Sequence, residues 1–137
     1  MDTLTSTQRS ELMSLVRSKD TKPEIAVRRL VHSMGYRYRL HGRGLPGRPD
    51  LVLAGKRTVI FVHGCFWHRH RGCVKATTPK TNAEFWRAKF QANRRRDRAI
   101  ERRLANDDWR VIVVWECESR NVPKLAIRLS RELESVE

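Results

Sequence analysis

The stretch Val59–Cys73, VIFVHGCFWHRHRGC, constrains the fold more than any other. Val59-Ile60-Phe61-Val62 has the length and character of a buried strand, with β-branched residues at three of four positions. It runs straight into His63, Cys65, His68, His70 and Cys73, so three of the five histidines and two of the three cysteines fall within eleven residues. Phe66 and Trp67 stand among them, in a segment too polar for ordinary core. Any fold that accepts this stretch buries the strand and leaves a site at its end.

Cys65-x4-His70-x2-Cys73 offers three soft or borderline ligands, and Cys117 follows a second apolar run, Arg110–Trp115. Together they make a Cys₃His set of the kind that holds structural zinc tetrahedrally. The alternative is a group of buried thiols with a solvated histidine. An arginine-rich loop ending in Gly72-Cys73 is a poor home for an inert thiol, so zinc is preferred, with His68 competing with His70 for the fourth position. Residues 64–80 have no evident core, and metal would be what folds them. Disulfides are disfavoured, because the N-terminus lacks a signal-peptide apolar core and the cytosol is the expected compartment.

The charge balance points to the partner. The 137 residues carry 29 Lys and Arg against 15 Asp and Glu, a formal net charge of +14. A polyanion is the natural partner of such a chain, and nucleic acid is the commonest. A membrane surface would favour a basic amphipathic helix at one end, whereas here the basic residues are spread throughout. No apolar run approaches the ~20 residues of a membrane span.

The length suits one domain. A short helix is expected over 7–17, within an N-terminal arm of residues 1–20. Thr21-Lys22-Pro23-Glu24 is a capping box opening a helix that buries Val27, Leu30, Val31 and Met34, with Gly35 as its stop. Tyr36–His41 alternates like a strand, and Gly42–Pro49 is a loop fixed by two prolines and three glycines. Asp50–Leu53 and Arg57–His63 read as a hairpin turned by Ala54-Gly55-Lys56. Thr81-Asn82-Ala83-Glu84 is a second capping box, opening a basic helix to about Asn106 with a break expected near Asn93. Arg110–Trp115 is a further strand, and a last helix after Asn121-Val122-Pro123 buries Leu125, Leu129 and Leu133. This order gives an α/β fold, a mixed β-sheet flanked by helices.

Asp50, after Gly-Arg-Pro and opposite the end of the partner strand, is either a turn residue or a ligand for a hard cation such as Mg²⁺. Glu24, His63 and His68 tilt the reading toward a site. His68, with an ordinary pKa near neutrality, is the best general base. Phe66 and Trp67 either cover the zinc loop or stack on bases, and Trp86 either packs on Phe90 or joins them. Lys89 and Asn93 on the basic helix are either a solvated face or DNA contacts.

Leu45-Pro-Gly-Arg-Pro-Asp50, Phe61-Val-His-Gly-Cys-Phe-Trp-His68, Glu84-Phe-Trp86 and Val114-Trp-Glu-Cys117 closely resemble the very short patch repair (Vsr) DNA mismatch endonucleases. The likeness runs from about Ser10 to Arg120. It implies a restriction-endonuclease-like core and a Mg²⁺-dependent nick 5′ to the thymine of a T·G mismatch, a product of 5-methylcytosine deamination. By position, Asp50 and the Val62 backbone carbonyl resemble the Mg²⁺ ligands, and Glu24, His63 and His68 the other active-site groups. Cys65, His70, Cys73 and Cys117 match the zinc ligands, and Phe66, Trp67 and Trp86 the aromatics that enter the DNA beside the mismatch. Position 62 is Val where the family pattern has Thr, and the loop His70–Cys73 differs in length with fewer histidines.

The expectation is a single-domain, monomeric nicking enzyme of the prokaryotic cytoplasm and nucleoid. It would act on double-stranded DNA, with mismatch-repair accessory proteins as further partners. The rival readings are a zinc-stabilised DNA-binding module without catalysis, which leaves Asp50, Glu24 and His68 idle, and a related nuclease with another lesion preference.

Overall fold

The computed structural model describes residues 21–65, 68, 70, 73 and 80–134. The helix expected over 7–17, the arm 1–20, and Phe66 and Trp67 lie outside the described residues.

Helix α1 spans Lys22–Ser33. Its start is the one expected: Thr21 is extended, and its hydroxyl accepts the Glu24 N–H at 3.4 Å. Gly35, at φ +88°, ends the turn in a conformation that costs glycine little. The first strand is shorter than the sequence suggests. Only Arg39–Leu40 (β1) pairs with Leu51–Leu53 (β2), antiparallel, with Arg39 opposite Val52. The chain after β2 enters a 3₁₀ turn at Ala54–Lys56, so Tyr36 and Arg37 have no strand opposite them there, and Tyr36 N–H bonds back to Val31 O.

Strand β3, Thr58–His63, pairs antiparallel with β2 and parallel with β4, Arg110–Trp115. The sheet order β1-β2-β3-β4 is therefore mixed. Helix α2, Ala83–Asn106, joins β3 to β4, and α3 spans Val122–Glu134. Two expectations for α2 are corrected. Asn82 lies in the left-handed region at φ 57° and caps with no side chain, and a capping box needs an extended residue before the helix. Nor is α2 broken at Asn93, whose side-chain oxygen is held by Arg96 Nη2 at 2.6 Å and so does not compete for the backbone.

Helices α1 and α3 cover one face of the sheet. Val27, Leu30 and Val31 meet Leu125, Leu129 and Leu133 over Leu51, Leu53, Ile60, Ile112 and Val114. Helix α2 covers the other face through Leu104, which packs with Val52, Val59 and Phe61. This three-layer α/β arrangement is consistent with the expected restriction-endonuclease-like core. Among the described residues no helix is long and apolar enough to cross a membrane.

Two local features fix the ends of the strands that carry the polar residues. Gly47, at φ +73°, packs so closely on α2 that a Cβ there would lie 2.6 Å from Ile100 Cγ2 and 3.2 Å from Phe61 Cε1. The loop leading to Asp50 is thereby seated on α2. At the open side of β4, Arg128 on α3 donates to the Val113 carbonyl at 2.8 Å and pairs with Glu118 at 2.7 Å. Glu118 in turn accepts the Trp115 N–H at 3.0 Å.

Leu129 is fully buried at the centre of the larger core. Leu129→Ala should lower unfolding stability by about 2–5 kcal/mol, read as a shifted denaturant midpoint. A change below about 1 kcal/mol would mean that α3 is not integral to the core.

Candidate active site and metal centre

The parallel pairing of β3 with β4 sets His63 opposite Trp115. Two residues past the end of each strand stand Cys65 and Cys117, so the pairing brings two distant thiols to the same end of the sheet. A tight turn then folds the loop back, with His68 N–H bonded to Gly64 O and His70 N–H to Cys65 O. Cys65, His70, Cys73 and Cys117 thus converge, with their ligand atoms all within 4.8 Å of one another. His70 Nδ1 lies 3.6 Å from Cys65 Sγ and 3.4 Å from Cys117 Sγ, and its ring stacks on Trp115 at 4.4 Å. Burial pushes the Cys65 thiol up to about 12, so a metal entering here displaces protons. Three thiols and one imidazole in this volume fit a tetrahedral soft or borderline ion. His68 lies outside this group.

A second group forms beside β3. Asp50, just before β2, accepts the Val62 N–H through Oδ2 at 2.6 Å. His63 O points the other way, to Glu116 N–H on the β4 side. In a strand the N–H and C=O of one residue share a side, so the Val62 carbonyl leaves β3 toward Asp50. Glu24, only 5% exposed, contacts Asp50 from the first turn of α1, with Arg28 3.9 Å from its carboxylate. Desolvation drives the Asp50 pKa up to about 7; the Val62 N–H opposes this, and the Glu24 carboxylate adds to it. A half-buried and a buried acid beside a carbonyl are an oxygen-rich set suited to a hard divalent cation.

The third group is made of imidazoles. The His63 and His68 rings stack at 3.9 Å and 8°, and His68 Nδ1 lies 2.7 Å from Asp97 Oδ2. A carboxylate only accepts, so Nδ1 carries the hydrogen, and in the neutral ring His68 Nε2 is the acceptor. Burial, and then the neighbouring His68, lower the His63 pKa to about 4 against the pull of Asp97, which keeps it neutral at physiological pH. His63 is further enclosed by Trp115, edge-on at 5.4 Å.

Asp97 is the member of this group that sequence reasoning misses, since among the arginines of α2 it looks like a mere charge offset. A signal exists all the same. Asp97 lies four, seven and eleven residues beyond Asn93, Phe90 and Trp86, on the inward stripe of the helix, where an acid needs a partner. Trp86 itself is buried at 5% exposure and stacks on Phe90 at 5.8 Å. The exposed aromatic of this turn is its neighbour Phe85, at 48%. Along the same helix Lys89 and Asn93 are both half-buried, Asn93 beside Arg96.

Acids and imidazoles thus gather at one end of the sheet, in a chain of net charge +14. Residues 1–75 match the family described as DNA mismatch endonuclease Vsr. A type II nicking enzyme, V.XorIIP of Xanthomonas oryzae pv. oryzae, is 50% identical over 133 residues, 97% of both chains. The type II nicking enzyme V.NmeAIP of Neisseria meningitidis is 43% identical over 95% of this chain and 92% of its own. The DNA mismatch endonuclease Vsr of Escherichia coli K12 is 43% identical over 117 residues, 85% of this chain and 74% of the relative. This chain belongs to the Vsr family of DNA mismatch endonucleases and related nicking enzymes.

Proposed function

We propose that this endonuclease nicks duplex DNA 5′ to the thymine of a T·G mismatch, the lesion left by deamination of 5-methylcytosine. The observation that carries the catalytic part is the pairing of half-buried Asp50, held on Val62 N–H, with the His68–Asp97 hydrogen bond near the end of the same strand. A DNA-binding module would have no use for either. The lesion preference rests on the family likeness in HGCFWH and the residues around it.

In this reading Asp50, with the Val62 carbonyl and Glu24 behind it, holds Mg²⁺. When bound, that ion supplies positive charge to the scissile phosphate. His68 Nε2 takes the proton of the attacking water, while Asp97 fixes the ring and its tautomer; a positioned base of this kind typically gives about 10²–10⁴-fold. Neutral His63 offers an N–H to a phosphate oxygen. Cys65, His70, Cys73 and Cys117 would hold zinc, which would tie the loop after β3 to the end of β4. Phe66, Trp67 and Trp86 enter the helix beside the mismatch, which unstacks at least cost there. Trp86 would have to leave its stack on Phe90 to do so. Lys89 and Asn93 contact the DNA from α2. The chain acts as a monomeric single domain over residues 1–137, with residues 1–20 as an arm, in the cytoplasm and nucleoid alongside mismatch-repair proteins.

Labelled duplexes carrying T·G, other mismatches or none, incubated with Mg²⁺ or EDTA, test the reading. One nick 5′ to the T of T·G, dependent on Mg²⁺, is expected. Equal cutting of fully paired duplex would leave a nuclease of another specificity. Affinity should also fall steeply with salt, with log K against log[salt] steeper than about −4, as at least five neutralised phosphates would give. A flat plot would mean that the basic surface does not grip the backbone.

A further inference from the structure

We infer that His63, His68 and Asp97 form a second transition-metal site, distinct from the Cys₃His group and from Asp50, whose occupation switches nicking off. Their ligand atoms all lie within 4.8 Å of one another. In a tetrahedral zinc site with Zn–N near 2.1 Å, ligand atoms stand about 3.4 Å apart, so closing the trio needs movements on the order of 1 Å. One pair is already closer, with His68 Nδ1 2.7 Å from Asp97 Oδ2.

The donors decide the kind of ion. Two imidazoles and one carboxylate favour Zn²⁺, Co²⁺ or Cu²⁺ over Mg²⁺, which prefers oxygen alone. His63 comes from the end of β3, His68 from the turn after it and Asp97 from α2, so the set is assembled by the fold rather than by a mobile tail. The near-parallel rings, 8° apart, must splay for both lone pairs to reach one ion.

The chemical consequence lies in the tautomer. An ion on His68 Nδ1 takes the place of the hydrogen shared with Asp97. That hydrogen moves to Nε2 and the ring stays neutral. Nε2 then carries a hydrogen and can no longer accept one from water. Metal binding itself does not depend on the proposed reaction; only the inhibition does.

The full chain loaded with one zinc, in Mg²⁺ buffer without DNA, should take up a further equivalent of Co²⁺. The new absorption should show d–d bands and no thiolate-to-cobalt charge-transfer band. Asp97→Asn and His63→Gln, each checked for retained zinc and helical circular dichroism, should weaken that uptake at least about 10-fold. On the parent chain, Cu²⁺ paramagnetic resonance should show coupling to two imidazole nitrogens, a readout that needs no variant. Absence of a further equivalent, a thiolate band accompanying it, or undiminished uptake in both folded variants would overturn the site. In the same buffer with T·G duplex added, nicking should fall more than about 10-fold as the second ion binds. Binding without inhibition would keep the metal site and remove His68 from the proposed reaction.

Discussion

Asp50→Asn should nick mismatched duplex at least ~10²–10³-fold more slowly than the parent while binding it at least as well. The charge on Asp50 is the one that a hard cation would need, and several kcal/mol of transition-state stabilisation go with that cation. Binding is spared because the substitution also removes a carboxylate facing a phosphate. The same variant has a second, metal-free signature. In the folded chain the Asp50 pKa is raised to about 7, above the ~3.9 of an unfolded aspartate. A group raised on folding contributes stability that is fully present below the unfolded pKa and lost as pH rises through the folded one. In EDTA the parent should therefore lose stability between about pH 4 and 7 relative to Asp50→Asn, leaving the variant the more thermostable of the two at pH 8. Nicking at the parent rate would show that the active site lies elsewhere. A parent and variant with parallel pH–melting curves would show that Asp50 is not held protonated by its burial.

Cys117→Ala should lose both the zinc and a large part of the stability. The pairing of β3 with β4 brings Cys117 to the same end of the sheet as Cys65, and His70 bridges them, 3.4 Å from one sulfur and 3.6 Å from the other. Three ligands cannot close a tetrahedral structural site. Structural zinc contributes folding free energy outright. A loss of at least about 3 kcal/mol is expected, which for a chain of this size lowers the melting temperature by roughly 10 °C. Metal analysis of the parent should give about one zinc per chain, and the variant should retain little after dialysis. Full retention would remove Cys117 from the ligand set.

Elements whose apolar residues have a clear period are legible in the amino-acid sequence alone. Arg110–Trp115 forms the strand its β-branched run announces, and Leu125, Leu129 and Leu133 are buried as their spacing requires. The capped start of α1 and its stop at Gly35 come from local chemistry. What escapes a reading of the sequence depends on distant parts of the chain. Tyr36–Tyr38 alternate properly but lie outside β1, and β2 turns away before it could face Tyr36 and Arg37. Thr81 and Glu84 have the spacing of a capping box, yet Asn82 takes a left-handed backbone that spacing alone cannot reveal. The Cys₃His group and the Asp50–Val62 contact can be anticipated because a motif or a hairpin brings their members together. Asp97 cannot be joined to His68 by counting residues. They stand 29 positions apart, and only the packing of α2 on the sheet makes them neighbours.

The Arg128–Glu118 pair has a consequence for how many strands can be cut at once. It occupies the Val113 carbonyl and the Trp115 N–H on the outer side of β4, while β1 at the opposite edge is only two residues long. A second copy could not extend this sheet at β4 without first breaking a half-buried ion pair, and β1 offers little ladder to hold it. By that route the molecule does not double itself. Under the proposed function, one chain acting alone would bring one set of cutting groups to one strand, and the opposite strand would keep the two ends of the duplex together while the break is mended.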